Sequence, residues 1–91
     1  MNATEIRTMR LTLGLNQREL GELVHARYET VSRWENGRLA PDEYQASILA
    51  ALARRAERMK GHAVESTIRD VATAKMHLKS NDVGRALAVI L

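Results

Sequence analysis

Apolar residues recur at intervals of three and four along almost the whole chain, and short polar clusters cut that pattern into helical lengths. Asn2 followed by Glu5 marks a first start, because an Asn side chain accepts from a free first-turn amide while the Glu reaches back. Ile6, Met9, Leu11 and Leu13 then supply an apolar face, and Gly14 offers a left-handed stop, so a helix is predicted over about residues 3–13. Asn16 and Glu19 repeat the box directly ahead of Leu20, Leu23 and Val24 and predict a short second helix over about residues 17–24.

The third stretch is different. Val31 and Trp34 lie three apart on one face, whereas Arg27, Tyr28, Glu29, Ser32, Arg33 and Asn36 point elsewhere, and Gly37 ends the run. A helix of two to three turns with two apolar anchors can scarcely hold itself, so its polar surface calls for a purpose. Pro41, at a first-turn position with Asp42 and Glu43 beside it, predicts the next start. Tyr44, Ile48, Leu49, Leu52, Ala56 and Met59 carry that helix to about Lys60, with Gly61 and His62 interrupting. Val64, Ile68, Val71, Ala72, Lys75 and Leu78 predict a fifth helix to about Lys79. After Ser80, Asn81 and Asp82, the residues Val83, Ala86, Leu87, Ile90 and Leu91 close the chain on a last one.

Ninety-one residues suffice for one compact domain, or for a small domain with a helical appendage, and leave little room for a large substrate cavity. The aromatics are Tyr28, Trp34 and Tyr44 alone, and 45% of the chain is apolar, mostly alanine and branched aliphatics, which favours packed helices over sheet. With no Cys there is neither a disulfide framework nor a thiolate zinc site, which fits a cytoplasmic location. His25, His62 and His77 stand isolated, so no metal is expected. Ser32 and Ser47 lack a neighbouring His with an orienting acid, and no glycine loop is built to cradle phosphates, so no catalytic residue, cofactor or enzyme activity is expected. The longest apolar run, at the C-terminus, is far short of the ~20 residues of a membrane span, so no membrane partner is expected. The net charge of +3 does not announce a nucleic-acid partner by itself. The basic cluster Arg54, Arg55, Arg58 and Lys60 reads as a solvated face.

The segment Gly14-Leu15-Asn16-Gln17-Arg18-Glu19-Leu20-Gly21-Glu22-Leu23-Val24, with Val31-Ser32-Arg33-Trp34-Glu35-Asn36-Gly37 after it, resembles the helix-turn-helix of phage repressor and Cro proteins, the XRE-like family. The likeness covers about residues 3–52. It implies an all-α, lambda-repressor-like helix-turn-helix bundle over residues 1–60; residues 61–91, beyond the likeness, are expected to form a C-terminal helical extension for dimerisation. The second helix of such a pair enters the major groove of double-stranded DNA and reads bases with its N-terminal residues. Here those are Arg27, Tyr28 and Glu29, with Arg33 one turn on. Arg can bond guanine O6 and N7 together, Glu can accept from a cytosine amino group, and Tyr can offer its hydroxyl or pack against a thymine methyl.

The resemblance also implies that Gln17 clamps a phosphate at the start of the second helix, with Asn36 and Arg38 as further phosphate contacts. It pairs Arg10 with Glu35 as a structural ion pair between the first and third helices. His25 stands where the family usually has Gly in the turn, and Arg27 where it has a Ser or Thr cap. Gly21 stands where Ala is common and permits closer helix packing.

The expected function is a sequence-specific transcriptional regulator: a repressor that binds a palindromic operator as a homodimer, encoded by a phage or mobile element and controlling its own promoter. Two other classes fit the same pattern, an antitoxin whose C-terminal helices bind a toxin or other small protein, and a protein-interaction module that has lost DNA contact. The dimer expectation rests on surface: a core of Leu11, Leu20, Val24, Val31, Trp34, Ile48 and Leu52 leaves the stripe of Val64, Ile68, Val71 and Leu78 without a partner, the alternative being that these helices fold back on their own core.

Overall fold

The structure, a computed structural model, describes residues 1–59 and 65–91. Among the described residues it contains six helices and no strand: α1 (Ala3–Leu13), α2 (Gln17–Leu23), α3 (Tyr28–Glu35), α4 (Glu43–Glu57), α5 (Glu65–Lys79) and α6 (Val83–Ile90). No helix among the described residues is long and apolar enough to cross a membrane. The expected Lys60 end of the fourth helix, the Gly61–His62 interruption and the Val64 start of the fifth lie outside the described residues.

Local chemistry sets the boundaries. Both Asn capping boxes form: Asn2 Oδ1 accepts from Glu5 N at 2.8 Å and Asn16 Oδ1 from Glu19 N at 2.7 Å, with each Glu carboxylate accepting the cap residue's own amide. Gly14 stops α1 at φ 73°, and Gly37 lies at φ 71° just beyond α3. Pro41 precedes α4 instead of opening it. Asp42 is the cap, because its carboxylate accepts from Gln45 N at 2.7 Å while the Gln45 side chain accepts the Asp42 amide. A D-x-x-Q box thus outweighs the placement that Pro alone suggests.

One core joins all six helices. Ile6, Met9 and Leu13 of α1, Leu20 and Leu23 of α2, Val31 and Trp34 of α3, and Ile48, Leu49 and Leu52 of α4 pack together, with Leu15 and Val24 from the connections. Trp34 Nε1 is buried without a hydrogen-bond partner among the described residues, so the indole serves as an apolar anchor for α3. Leu11, expected in this core, is instead 58% exposed. It stands two positions from both Met9 and Leu13, which at 3.6 residues per turn places it on the opposite side of α1.

The C-terminal helices fold back on this core, which corrects the expectation that their apolar stripe lacks a partner within the chain. Val71, Ala74 and Leu78 of α5 and Ala86 and Ile90 of α6 are buried in the same cluster, while Ile68 is left 53% exposed. The buried positions 67, 71, 74 and 78 form one face, and Ile68 falls beside it. Each large aliphatic so buried stabilises the fold by about 1.5–3 kcal/mol.

Polar clamps fix how α5 and α6 sit. Arg55 of α4 donates from Nε to Thr67 Oγ1 at 3.1 Å and from Nη1 to the Ile90 carbonyl at 3.2 Å, and it pairs with Asp70. Arg55 therefore belongs to the interior rather than to the solvated basic face on which the sequence placed it. Lys75 of α5 donates to the Gly14 carbonyl at 2.7 Å and lies 3.6 Å from Glu19, tying α5 to both ends of the α1–α2 connection.

Candidate nucleic-acid interface

The side of α3 opposite its two anchors is open. Val31 and Trp34 are buried, whereas Tyr28, Glu29 and Arg33 are exposed along one side of the helix and Arg27 is exposed at its N-cap. Arg27 has extended backbone and makes no side-chain cap bond. The first-turn amides of α3 are left without that cap, and the Arg27 guanidinium is free to reach outward. The four residues expected to read bases are thus brought to one surface.

The turn before α3 is built on close backbone approach. His25 takes the left-handed conformation at φ 56°, as its turn position requires, and the chain folds back so that Ala26 N donates to the Gly21 carbonyl at 2.8 Å. A Cβ on Gly21 would lie 2.4 Å from the Ala26 carbonyl oxygen. Glycine at this position therefore lets the turn sit directly on α2, which sets the angle at which α3 projects.

Three helices meet at the carboxylate of Glu35. Arg10 of α1 donates from Nε to Oε2 at 2.7 Å and from Nη2 to Oε1 at 3.0 Å, a bidentate pair, and its Nη1 donates to the Leu15 carbonyl at 3.0 Å. The two side chains are 11% and 4% exposed, so water screens the pair little. Gln17 at the start of α2 donates from Nε2 to Oε1 at 3.3 Å. One proton of the Gln17 amide is thereby directed inward, and the second is the one available to a phosphate. Asn36 turns back along α3, donating to the Ser32 carbonyl at 2.9 Å, and Arg38 is exposed past the end of the helix.

Arg18 was missed in the sequence as a member of this surface. Its guanidinium carbon stands 5.1 Å from the centroid of the Tyr28 ring, a cation–π contact between the starts of α2 and α3. The contact restricts the exposed ring and adds a positive charge to a face that already carries Arg27 and Arg33. The signal was present in the spacing, since position 18 lies in the first turn of α2 as position 28 lies in the first turn of α3. Tyr44 in the first turn of α4 approaches His25 with ring centroids 6.3 Å apart, bracing the other side of the turn.

A helix-turn-helix family model matches residues 6–54, which runs from within α1 to most of α4 and stops short of α5 and α6. No curated protein and no solved structure matches the chain.

Proposed function

Since this chain belongs to the XRE-like helix-turn-helix family of DNA-binding transcription regulators, we propose that it is a repressor that inserts α3 into the major groove of a palindromic operator and binds as a homodimer. The observation that carries this reading is the division of α3 into a buried pair, Val31 and Trp34, and an exposed polar side, on a helix fixed in place by the Arg10–Glu35 pair. A groove about 12 Å wide accepts one such helix. Arg27, Tyr28, Glu29 and Arg33 read base edges, with Arg18 holding the Tyr28 ring. Gln17, Asn36 and Arg38 meet phosphates on either side and set the register.

One copy of α3 makes too few base contacts for useful specificity, whereas two copies on a two-fold axis read half-sites about 34–36 Å apart. Much of the surface that suggested a dimer is used within the chain. What α5 leaves outside is a narrower stripe of Ile68, Ala72 and Met76 at four-residue spacing, and we assign the second copy to that stripe. Control of its own promoter on a phage or mobile element rests on the resemblance to phage repressor and Cro proteins alone. The toxin-binding alternative draws less support, because the buried faces of α5 and α6 are already covered by the chain itself.

Selection of bound sequences from random duplex at a stated salt concentration tests the proposal. A repressor of this kind enriches an inverted repeat. Enrichment of a single unrepeated half-site would remove the homodimer, and no enrichment would remove sequence reading altogether.

A further inference from the structure

The α5–α6 turn lies outside the family match, yet it reaches the reading surface. Asn81 at its apex lines an open cleft of about 410 Å³ together with Arg18, Glu22, Arg27, Tyr28 and Glu29. We infer that Asn81 is a further DNA contact, its side-chain amide donating to the phosphodiester backbone that flanks the half-site. This rests on the reading of α3 as a major-groove helix.

The major groove is walled by two phosphate backbones, so an element standing beside the N-terminal end of a groove-bound helix stands over one of those walls. Asn81 is exposed and lies at φ 61°, a left-handed conformation that Asn tolerates better than most residues and that carries its side chain out of the turn. The turn itself is closed by its own backbone: Asn81 N donates to the Leu78 carbonyl at 3.0 Å and Asp82 N to the His77 carbonyl at 2.9 Å. The Asn81 side chain takes no part in that bonding.

Its register to α3 is also fixed. Lys75, on the helix that leads into the turn, is bonded to the Gly14 carbonyl and paired with Glu19 of α2, so α5 is tied to the helix pair. A contact made from a preformed, anchored turn costs little ordering entropy. The two carboxylates in the cleft are offset by two guanidinium groups, and the neutral amide of Asn81 adds a donor without adding an acid. Lys79 and Ser80, its neighbours in the chain, are exposed donors as well.

The test uses the full-length chain with Asn81→Gly, which keeps the left-handed conformation and removes the amide, and Asn81→Asp, which also keeps it and faces a phosphate with a like charge. On the selected operator, Asn81→Gly is expected to bind about fivefold more weakly and Asn81→Asp more than tenfold. The loss should be the same for operators altered at any single base pair, and the Asn81→Asp deficit should shrink as salt rises. Thermal midpoints should match that of the unaltered chain. Unchanged affinity in both variants, a loss confined to one base pair, or a loss that tracks a lowered midpoint would each overturn the inference. Failure of the unaltered chain to bind any duplex would overturn the major-groove reading, and this contact with it.

Discussion

Arg10 and Glu35 form a bidentate pair, Nε to Oε2 at 2.7 Å and Nη2 to Oε1 at 3.0 Å, that joins the last turn of α1 to the last residue of α3. Removal of Glu35 leaves the Arg10 guanidinium buried without its counter-charge. Glu35→Ala should therefore destabilise the fold by about 3–5 kcal/mol and weaken DNA binding with it. Arg10→Ala should cost a similar amount, and a double-mutant cycle in chemical denaturation should show strong coupling between them. Additive losses would mean that the pair does not hold α3.

Gly21→Ala should destabilise the chain by about 1–3 kcal/mol, because the added methyl meets the Ala26 carbonyl oxygen at 2.4 Å and the turn must shift to admit it. The shift tilts α3, so operator affinity should fall by more than the lost folded fraction explains. Equal stability in a thermal melt would show that the turn has slack that the structure lacks.

Arg55→Met should loosen α5 and α6 from α4 by removing bonds to Thr67, Asp70 and the Ile90 carbonyl at once, at a cost of about 2 kcal/mol. Amide hydrogen exchange should accelerate first in α5 and α6. Uniform acceleration across all six helices would instead mark one cooperative unit without a separable C-terminal layer.

The first three helices were legible because each is announced by chemistry within four residues: the Asn boxes at residues 2 and 16, the glycine stops at 14 and 37, the alternation of Val31 and Trp34 with polar neighbours. The Arg10–Glu35 contact came from resemblance to a family, since nothing in a spacing of 25 residues announces an ion pair. Less legible were contacts that depend on the path of the chain after residue 59. Arg55 sits in a run of basic residues and looks solvated until α5 arrives over it, and the stripe of Val71 and Leu78 looks unpartnered until α5 is laid on α1 and α2. Arg18 lay in plain view within the matched motif, but its role depends on a ring ten positions away.

Arg33→Ala should weaken the selected operator by about 1–3 kcal/mol and relax the preference at one position of each half-site, whereas Gln17→Ala should weaken all duplexes by a similar factor. Competition binding against single-base variants separates the two patterns. Uniform weakening in both would make Arg33 a backbone contact and place base reading on Arg27, Tyr28 and Glu29.

The central claim, that the exposed side of α3 with its flanking Gln17, Asn36 and Arg38 engages DNA, is tested most directly by titrating the unaltered chain with its selected operator and with a scrambled duplex across a range of salt. Each phosphate neutralised releases counterions, so the log-log slope should be several units negative, and the operator should be preferred throughout. No binding to any duplex at ~50 mM salt, or equal binding to operator and scrambled sequence, would contradict the account.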